Sequence, residues 1–269
     1  MSVSGKGVSR EALIIVVSIY KYFAPKWTGA LTVPRLRVTQ VASAVLNDPF
    51  EGRFVLEPSD SDREAAEADG YRGEWVQVDL FLEENFHDLG ILCFSRIHDS
   101  LLMWSHYAES HRGFVIGFDP EHPFFRREVL TLDTTYQAWR RCGALGFGTL
   151  RDIEYSDQRL RVRMGDDTIP GLFRKSRDWC YEKEVRTIIS LRDAEAPAEP
   201  RDNVYLIEVP ASAVTEVIVG AGAGLTVHGA AVSLSRDTRY SHAKFLRATL
   251  NPRTYGLDFN SLNTQGVAG

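Results

Sequence analysis

Hydrophobic and polar residues alternate along much of the chain, as they do in strands that bury one face. Residues 12–23 are rich in β-branched and aromatic side chains, and this run ends just before Pro25. Residues 35–41 alternate between polar and apolar side chains. Similar or short apolar runs predict further strands at 75–81, 90–95, 114–119, 183–189, 202–210, 214–222 and 230–237.

A helix is predicted between the strands at 90–95 and 114–119. Asp99 or Ser100 provides an N-cap, and Gly113 provides a stop signal at the other end. Helical spacing places on one face Leu101, Trp104, Tyr107, Ala108 and His111.

Strands at both ends of the chain with helices between them predict an α+β fold. Residues 134–181 are predicted to be mainly helical or irregular. We expect one domain with mixed or antiparallel sheets and inserted helices at residues 11–250. A flexible N-terminus at 1–10 and a C-terminal tail at 251–269 would flank it.

Composition and charge exclude several classes of protein. The chain has 269 residues, 44% of them hydrophobic, which suits a globular domain with a substantial core. Its formal charge of -5 gives no global basic field that would attract nucleic acid or an anionic membrane. The three cysteines form no C-x-x-C pair, which argues against a structural zinc site. The apolar run at 12–19 is too short to cross a bilayer and lacks the flanks of a signal peptide, so we expect a cytoplasmic protein with no membrane partner.

The stretch RDWCYEKEVRTIIS places Glu182 and Glu184 two residues apart where an apolar strand begins. On a strand, this spacing puts both carboxylates on one face, where like charges repel. If the strand end is solvated, the pair has no function. If it lies in a cleft, one carboxylate has a raised pKa and the two divide acid and base roles. We expect Arg186 to lie on the opposite face of the strand.

Polar and aromatic side chains from several segments complete the candidate site. They are Tyr20, Lys21, Tyr22, Asn47, Asp48, Glu51, Ser95, Trp104, His106, Tyr107, Lys175, Trp179 and Arg186. These residues could instead have purely structural roles. They would then lie at strand ends, form the hydrogen bonds of a turn at 47–51, or pack in the core near residue 104. We expect no bound metal, because the histidines near 98–111 lack the i, i+4 spacing of a helical site. GAGAGL at 220–225 lacks the following helix that a phosphate cradle needs.

Five motifs follow one another over about residues 18–220: Y-K-Y, L-N-D-P-F-E, C-F-S, L-L-M-W-S-H-Y-A-x-x-H-R-G-F-x-I-G-F-D and K-x-x-x-W-x-Y-E-x-E-x-R. Their order resembles a bacterial family of unknown function, DUF2971. The long middle motif is the most specific of them. The name of the family implies no activity.

The segment YEKEVRTII also resembles the E-x-E strand of the ADP-ribosyltransferases. In that superfamily one strand supplies an Arg or His, a middle strand a Ser or Tyr, and a later strand the catalytic Glu. Here Y-K-Y, then C-F-S or the H-Y of WSHYA, then E-K-E occupy these places in order. The first strand lacks an Arg or His, and Ser95 lacks the S-T-S context. The resemblance implies a split sheet around a cleft.

This resemblance implies an enzyme that cleaves NAD and transfers ADP-ribose, with Glu184 as the catalytic glutamate and Glu182 as the activator of the nucleophile. It implies NAD binding by Tyr20, Lys21, Tyr22, Ser95, Trp104, His106 and Tyr107, with aromatic stacking on the nicotinamide. The acceptor is left open between protein, nucleic acid and a small molecule. Bacterial enzymes of this type are often toxins or phage-defence effectors, which implies an antitoxin or immunity partner.

Two other functions stay open. Asp48, Glu51, Glu182 and Glu184 would bind a divalent metal in a hydrolase or nuclease. Alternatively, the same pocket binds a nucleotide without catalysis, in a sensor or partner-binding module. Consumption of NAD distinguishes the transferase from both, and metal dependence identifies the hydrolase.

Overall fold

The computed structural model describes residues 17–41, 48–57, 60–61, 64, 68, 86–126, 149–163, 169–195 and 204–263. The strands in these segments are β1 (Ile19–Phe23), β2 (Arg35–Gln40), β3 (Val55–Glu57), β4 (Leu89–Ser95), β5 (Phe114–Phe118), β6 (Arg151–Asp152), β7 (Glu154–Ser156), β8 (Arg161–Arg163), β9 (Arg174–Ser176), β10 (Glu184–Ser190), β11 (Val204–Glu208), β12 (Val214–Val219), β13 (Lys244–Leu250) and β14 (Leu257–Ser261). The α-helices with defined bounds are α1 (Leu101–Tyr107) and α2 (Leu225–Ser235). Short 3-10 helices lie at Pro25–Leu31, Pro123–Arg126, Ile169–Phe173, Arg177–Glu182, Leu191–Asp193, Ala211–Ala213 and Thr238–Tyr240.

Within the described segments, ten strands form one sheet in the order β11-β2-β4-β1-β5-β12-β13-β14, with β10 paired to β4 and β6 paired to β10. Its pairings are antiparallel except for β12 and β13, which run parallel and are joined through α2. Two small parallel pairs, β3 with β8 and β7 with β9, lie outside this sheet. The fold is therefore mixed α+β with a mostly antiparallel sheet, which confirms the predicted class.

The large sheet forks along β4. β10 pairs with β4 over its whole length and so takes up one edge of that strand. On the other edge, β2 pairs with Gly90 and Ile91, whereas β1 pairs with Ser95. Between these contacts, the carbonyl oxygen of Cys93 accepts a hydrogen bond from the side chain of Lys21 at 2.7 Å. β1 and β2 therefore diverge, and a gap opens between them.

Apolar clusters hold the two sides of this gap. Leu36 and Val38 of β2 are buried in the largest cluster and alternate with Arg35 and Arg37, as the period of a strand requires. Trp104 of α1 is fully buried in a separate cluster with the two tyrosines of β1. The apolar faces of β1 and β2 thus anchor the strands and leave polar side chains free to face the gap.

Helix α1 is shorter than predicted. It ends at Tyr107 rather than at Gly113, because residues 109–111 have φ values of 48°, 55° and 65°, outside the helical region. Gly113 has a different role, since a Cβ there would lie 1.8 Å from the carbonyl oxygen of Phe23 in β1. The glycine is required for close packing of β5 on β1 and not for termination of the helix.

The strand predicted at 230–237 was wrong, because these residues belong mainly to α2. Val227, Ala231 and Leu234 are buried at helical spacing. The glycine-rich turn at 220–225 is therefore followed by a helix, contrary to the prediction. A Cβ on Gly220 would lie 2.2 Å from the carbonyl oxygen of His111, so this turn packs against the loop that follows α1.

Two predicted boundaries also need correction. The described parts of residues 134–181 contain the short strands β6 to β9 in addition to 3-10 helices. The predicted C-terminal tail at 251–269 contains β14, which pairs with β13, so the domain extends to at least Ser261. The predicted strand at 75–81, the predicted N-terminus at 1–10 and residues 12–16 lie outside the described residues.

Candidate functional site

A pocket of about 420 Å³ lies where the sheet forks. Its walls come from β1, β2 and β4, from α1 and the 3-10 helix Pro25–Leu31, and from β9, β10 and the 3-10 helix Arg177–Glu182. Register brings three predicted site residues into one row, because Tyr20 of β1 pairs with Ser95 of β4, which pairs with Glu184 of β10. The fork thus gathers residues that are far apart in the sequence.

Glu184 is a buried carboxylate at the floor of the pocket, only 5% exposed. Its Oε1 accepts hydrogen bonds from Nε of Arg186 at 2.9 Å and from Nη2 at 2.6 Å. Its Oε2 accepts a hydrogen bond from Nζ of Lys175 at 3.2 Å. Burial alone would raise the pKa of Glu184, but the charges of Arg186 and Lys175 outweigh burial and lower it to about 2. Glu184 is therefore ionised at neutral pH.

Glu182 reaches the same pocket by a different backbone route. It is the last residue of a 3-10 helix and not a strand residue, so the prediction that both glutamates share a strand face was wrong. Lys183 between them adopts a left-handed conformation with φ 45°, which turns the chain from the helix into β10. Oε2 of Glu182 nevertheless accepts a hydrogen bond from Lys175 at 2.7 Å, and Oε1 accepts one from the Tyr107 hydroxyl.

The pKa of Glu182 shifts in the opposite direction to that of Glu184. Burial raises the pKa of Glu182, and the opposing effects of Lys175 and Tyr107 do not cancel this increase. The two carboxylates share Lys175, but Glu182 keeps a proton more readily than a free glutamate and Glu184 less readily. Such a pair is suited to divide acid–base and electrostatic roles in one reaction.

Arg186 lies on the same face as Glu184, so its assignment to the opposite face was wrong. Residues two apart on a strand project to one side, and the bonds between these two side chains show it. The guanidinium is completely buried, pairs with Glu51, and donates to the carbonyl oxygen of Leu172 at 2.7 Å. Arg186 does not line the pocket; it supports Glu184 and Glu51 from behind.

Lys175 of β9 is the common partner of the three carboxylates. Its Nζ lies 2.7 Å from Glu182, 3.2 Å from Glu184 and 3.7 Å from Glu51. Burial would lower the pKa of Lys175, but these carboxylates raise it, so the ammonium stays charged. The same ammonium lies 4.9 Å from the ring centroid of Trp179, which supports it by a cation–π contact.

Residues from β1 and β4 border the pocket, but their polar atoms are largely engaged. The hydroxyl of Tyr20 donates to Glu216 at 3.0 Å, and that of Tyr22 donates to the carbonyl oxygen of Ile97 at 3.0 Å. Ser95 Oγ donates to the carbonyl oxygen of Glu182 at 2.6 Å and so fixes the end of the 3-10 helix. These bonds hold the walls of the pocket in place.

The aromatic residues divide into core and pocket positions. Trp104 is completely buried in the core, with 0% solvent exposure. Its Nε1 donates a hydrogen bond to the carbonyl oxygen of His98. Trp104, predicted to contact a cofactor, therefore packs in the core and does not line the pocket. His106 and Tyr107 do line the pocket, and His106 Nδ1 lies 3.0 Å from the Tyr181 hydroxyl.

The NDPFE turn contributes one residue to the pocket. Glu51 lines it and is buried against Arg186 and Lys175. Asp48 instead accepts a hydrogen bond from the backbone N–H of Phe50 at 2.8 Å, which is turn chemistry, and does not line the pocket. Asn47 lies outside the described residues.

Several residues of the pocket were absent from the prediction. Arg35 and Arg37 of β2, Lys26 and Trp27 of the first 3-10 helix, and Cys93 of β4 all line it. The arginines had a detectable signal, because R-x-R in an otherwise apolar strand places both cations on one polar face. The other three carried no signal in the sequence, since only the fork brings them to the pocket.

Glu51, Cys93 and Glu184 come close enough to suggest a metal site, with one potential ligand atom of each lying within 4.8 Å of the others. Their environment does not fit a divalent cation. Both carboxylates are already paired with Arg186 and Lys175, and burial raises the pKa of the Cys93 thiol, so the thiolate is disfavoured. Asp48 of the alternative hydrolase set is also absent from the pocket.

Fold and site together define an α+β protein with a polar pocket at a fork in its sheet and a buried carboxylate–cation cluster at the floor. Residues 103–187 match the profile of a family described as "Protein of unknown function (DUF2971)". The match includes most of the long middle motif and the whole motif at 175–186, in agreement with the resemblance of the sequence to this family. The segment contains Lys175, Glu182 and Glu184. Glu51 and the pocket-lining cations of residues 21–37 lie outside it.

Searches of the curated proteins and of the solved structures found no significant match. Among the helices in the described segments, none has the length and apolarity that a membrane crossing requires.

Proposed function

We propose that the protein is an ADP-ribosyltransferase-like enzyme that cleaves NAD and transfers ADP-ribose to an acceptor. One observation carries this proposal: Glu182 and Glu184 share Lys175 in one pocket, and their pKa values are shifted in opposite directions. A site with one firmly ionised carboxylate and one carboxylate of raised pKa is suited to the two distinct roles that this reaction requires.

The chemistry follows from the leaving group. Nicotinamide is attached to ribose as a pyridinium, so it departs as a neutral molecule with the bonding electrons and needs no proton. The ribose carbon then carries positive charge, which the ionised carboxylate of Glu184 stabilises. The incoming nucleophile must lose a proton as its bond to the ribose carbon forms. Glu182 accepts that proton, because its raised pKa makes it the stronger base of the two.

The arrangement of the strands supports the same proposal. In the ADP-ribosyltransferases, three site positions come from an early strand, a middle strand and a late strand around a split sheet. Here the row of Tyr20, Ser95 and Glu184 crosses β1, β4 and β10 in that order, at the edge of the fork. The hydrolase alternative is not proposed, because Asp48, one of the four carboxylates it would use, is engaged in its own turn and does not line the pocket.

Nicotinamide release and acceptor labelling provide the test. Glu184→Gln keeps the size of the side chain and removes its charge, so kcat should fall by about 10²–10³ while KM for NAD changes little. Glu182→Gln should reduce transfer to the acceptor more than slow hydrolysis of NAD, because water attacks without a strong base. Mass spectrometry of a treated cell lysate would identify the acceptor.

Glu208→Gln is the matched control, since Glu208 is exposed and lies on β11 outside the pocket. It should retain full activity. Melting temperatures of all variants separate lost chemistry from lost folding. Undiminished NAD cleavage by folded Glu184→Gln, or no cleavage by the wild type with any acceptor fraction, would contradict the proposal.

A further inference from the structure

Three cationic side chains that line the pocket, Lys21, Lys26 and Arg37, form no ion pair with a carboxylate of the described residues. Nε of Arg37 is buried and has no hydrogen-bond partner, and among the described residues its guanidinium forms no ion pair. The ammonium of Lys21 donates to the carbonyl oxygen of Cys93 at 2.7 Å and forms no ion pair with a described carboxylate. Lys26 is exposed at the rim, with its ammonium 5.7 Å from the ring centroid of Trp27.

The carboxylates of the same pocket are in the opposite situation. Glu51, Glu182 and Glu184 are each paired with Lys175 or Arg186. Of the residues that the structure describes, five cationic and three anionic side chains line the pocket, a formal excess of two positive charges. Arg35 is paired with Glu195 at 3.2 Å, so Lys21, Lys26 and Arg37 are the lining cations without an ion pair to any carboxylate in the described part of the chain.

Burying cations without counter-ions is unfavourable, and burial lowers the pKa of both Lys21 and Arg37. Alternation along β2 directs Arg37 to the pocket, while Leu36 and Val38 hold the opposite face of the strand in the core. The unfavourable charge is therefore built into the folded strand. An anionic ligand would remove this cost when it enters the pocket.

We infer that Lys21, Lys26 and Arg37 form a phosphate-binding subsite, and that the ligand of this pocket carries a diphosphate. The guanidinium of Arg37 presents a fork of donors that matches phosphate oxygens, and the two ammonium groups add point charges. The inference rests on the proposed function in that it assigns this subsite to the diphosphate of NAD, with the ribose to be cleaved next to Glu184.

Titration calorimetry with ADP, inorganic pyrophosphate and adenosine tests the subsite without any reaction. ADP and pyrophosphate should bind to the wild-type protein, and adenosine should bind at least about 10-fold more weakly than ADP. Arg37→Gln should weaken the binding of ADP and of pyrophosphate by about 10- to 100-fold, the range for a charge-assisted hydrogen bond. Its affinity for adenosine should equal that of the wild type. Affinity for pyrophosphate should also decrease as salt concentration rises.

Arg253→Gln is the matched control, because Arg253 is exposed in the turn between β13 and β14. It should change none of these affinities. Without ligand, Arg37→Gln should melt at the same temperature as the wild type or higher, since it removes an uncompensated cation. Lys26→Gln, at the exposed rim, should weaken pyrophosphate several-fold and leave the melting temperature unchanged.

The outcomes separate this inference from the proposed function. Pyrophosphate binding that depends on Arg37, in a protein that never cleaves NAD, would refute the transferase and retain the subsite. NAD cleavage with unchanged KM and unchanged ADP affinity in both Arg37→Gln and Lys26→Gln would overturn the subsite and retain the transferase. A lower melting temperature in Arg37→Gln with unchanged pyrophosphate affinity would make Arg37 a structural residue and would also overturn the subsite.

Discussion

Arg186→Met should destabilise the protein by about 3–5 kcal/mol, because it leaves two buried carboxylates without their main cation. Methionine fills much of the same space but cannot pair with Glu184 and Glu51 or donate to the carbonyl oxygen of Leu172. The pKa of Glu184 gives a second measure of the same interaction. The fall from 4.5 to about 2 corresponds to about 3 kcal/mol at 1.36 kcal/mol per pKa unit, which is what the attraction of Arg186 and Lys175 leaves after the opposing effect of burial. Both routes predict a loss that is a large fraction of a typical stability of about 5–15 kcal/mol.

Urea unfolding at neutral pH measures this loss. Arg253→Met, an exposed arginine in the turn after β13, is the control and should stay within about 0.5 kcal/mol of the wild type. The double variant Arg186→Met/Glu184→Gln should lose less stability than the two single variants together, by about 0.5–3 kcal/mol. The reason is that it no longer buries the unpaired charge of Glu184. A loss below about 1 kcal/mol in Arg186→Met, or strict additivity in the double variant, would refute the reasoning.

The pH dependence of the same loss has a definite sign. The folded-state pKa of Glu184 is lowered, so its contribution to stability is complete above its unfolded-state pKa near 4.5. The contribution declines as the pH falls from about 4.5 toward 2, where the folded carboxylate also becomes protonated. In Arg186→Met much of this contribution is already absent. The difference between wild type and variant should therefore be largest near neutral pH and should shrink below pH 4.5.

Two backbone positions, Lys183 and Gly113, should be sensitive to the side chain they carry. In thermal unfolding, the stability of Lys183→Gly should stay within about 0.5 kcal/mol of the wild type, because glycine adopts the φ of 45° at little cost. The β-branched side chain in Lys183→Val does not tolerate this φ, so that variant should lose about 1–3 kcal/mol of stability. Gly113→Ala should lose about 1–3 kcal/mol or more, because the new Cβ would overlap the carbonyl oxygen of Phe23. Gly229→Ala is its control: no atom lies within 4 Å of its Cβ position in α2, so this change should stabilise the protein by about 0.5–1 kcal/mol. Equal melting temperatures for all four variants would contradict both predictions.

The strands were predictable where one face is buried. Residues 35–41 alternate clearly because Leu36 and Val38 enter the core, and the structure places β2 there. The pattern failed at 230–237, where a short window shows alternation. Only a longer window from Leu225 shows the buried helical spacing. β14 was missed because its residues are partly or largely exposed, which leaves no apolar stripe to detect.

The candidate site was predictable in composition but not in geometry. The motif K-x-x-x-W-x-Y-E-x-E-x-R already contains Lys175, both glutamates and Arg186, since a short chain segment supplies them all. The left-handed turn at Lys183 cannot be inferred from the sequence, because lysine does not favour that conformation. The approach of Glu51 to Arg186 spans 135 residues and depends on the whole sheet.

Stability alone does not account for the cluster beneath the pocket. Apolar residues of similar size would fill the space around Arg186 and Lys175 without the cost of desolvating buried charges. What apolar residues could not do is hold two carboxylates at the floor of the pocket with opposite pKa shifts. The nearby cations of β1 and β2 add a second unfavourable arrangement, which a bound anion would relieve. Costs of this kind concentrate at functional sites. Their coincidence at one fork in the sheet is therefore the physical basis for proposing this pocket as the functional site.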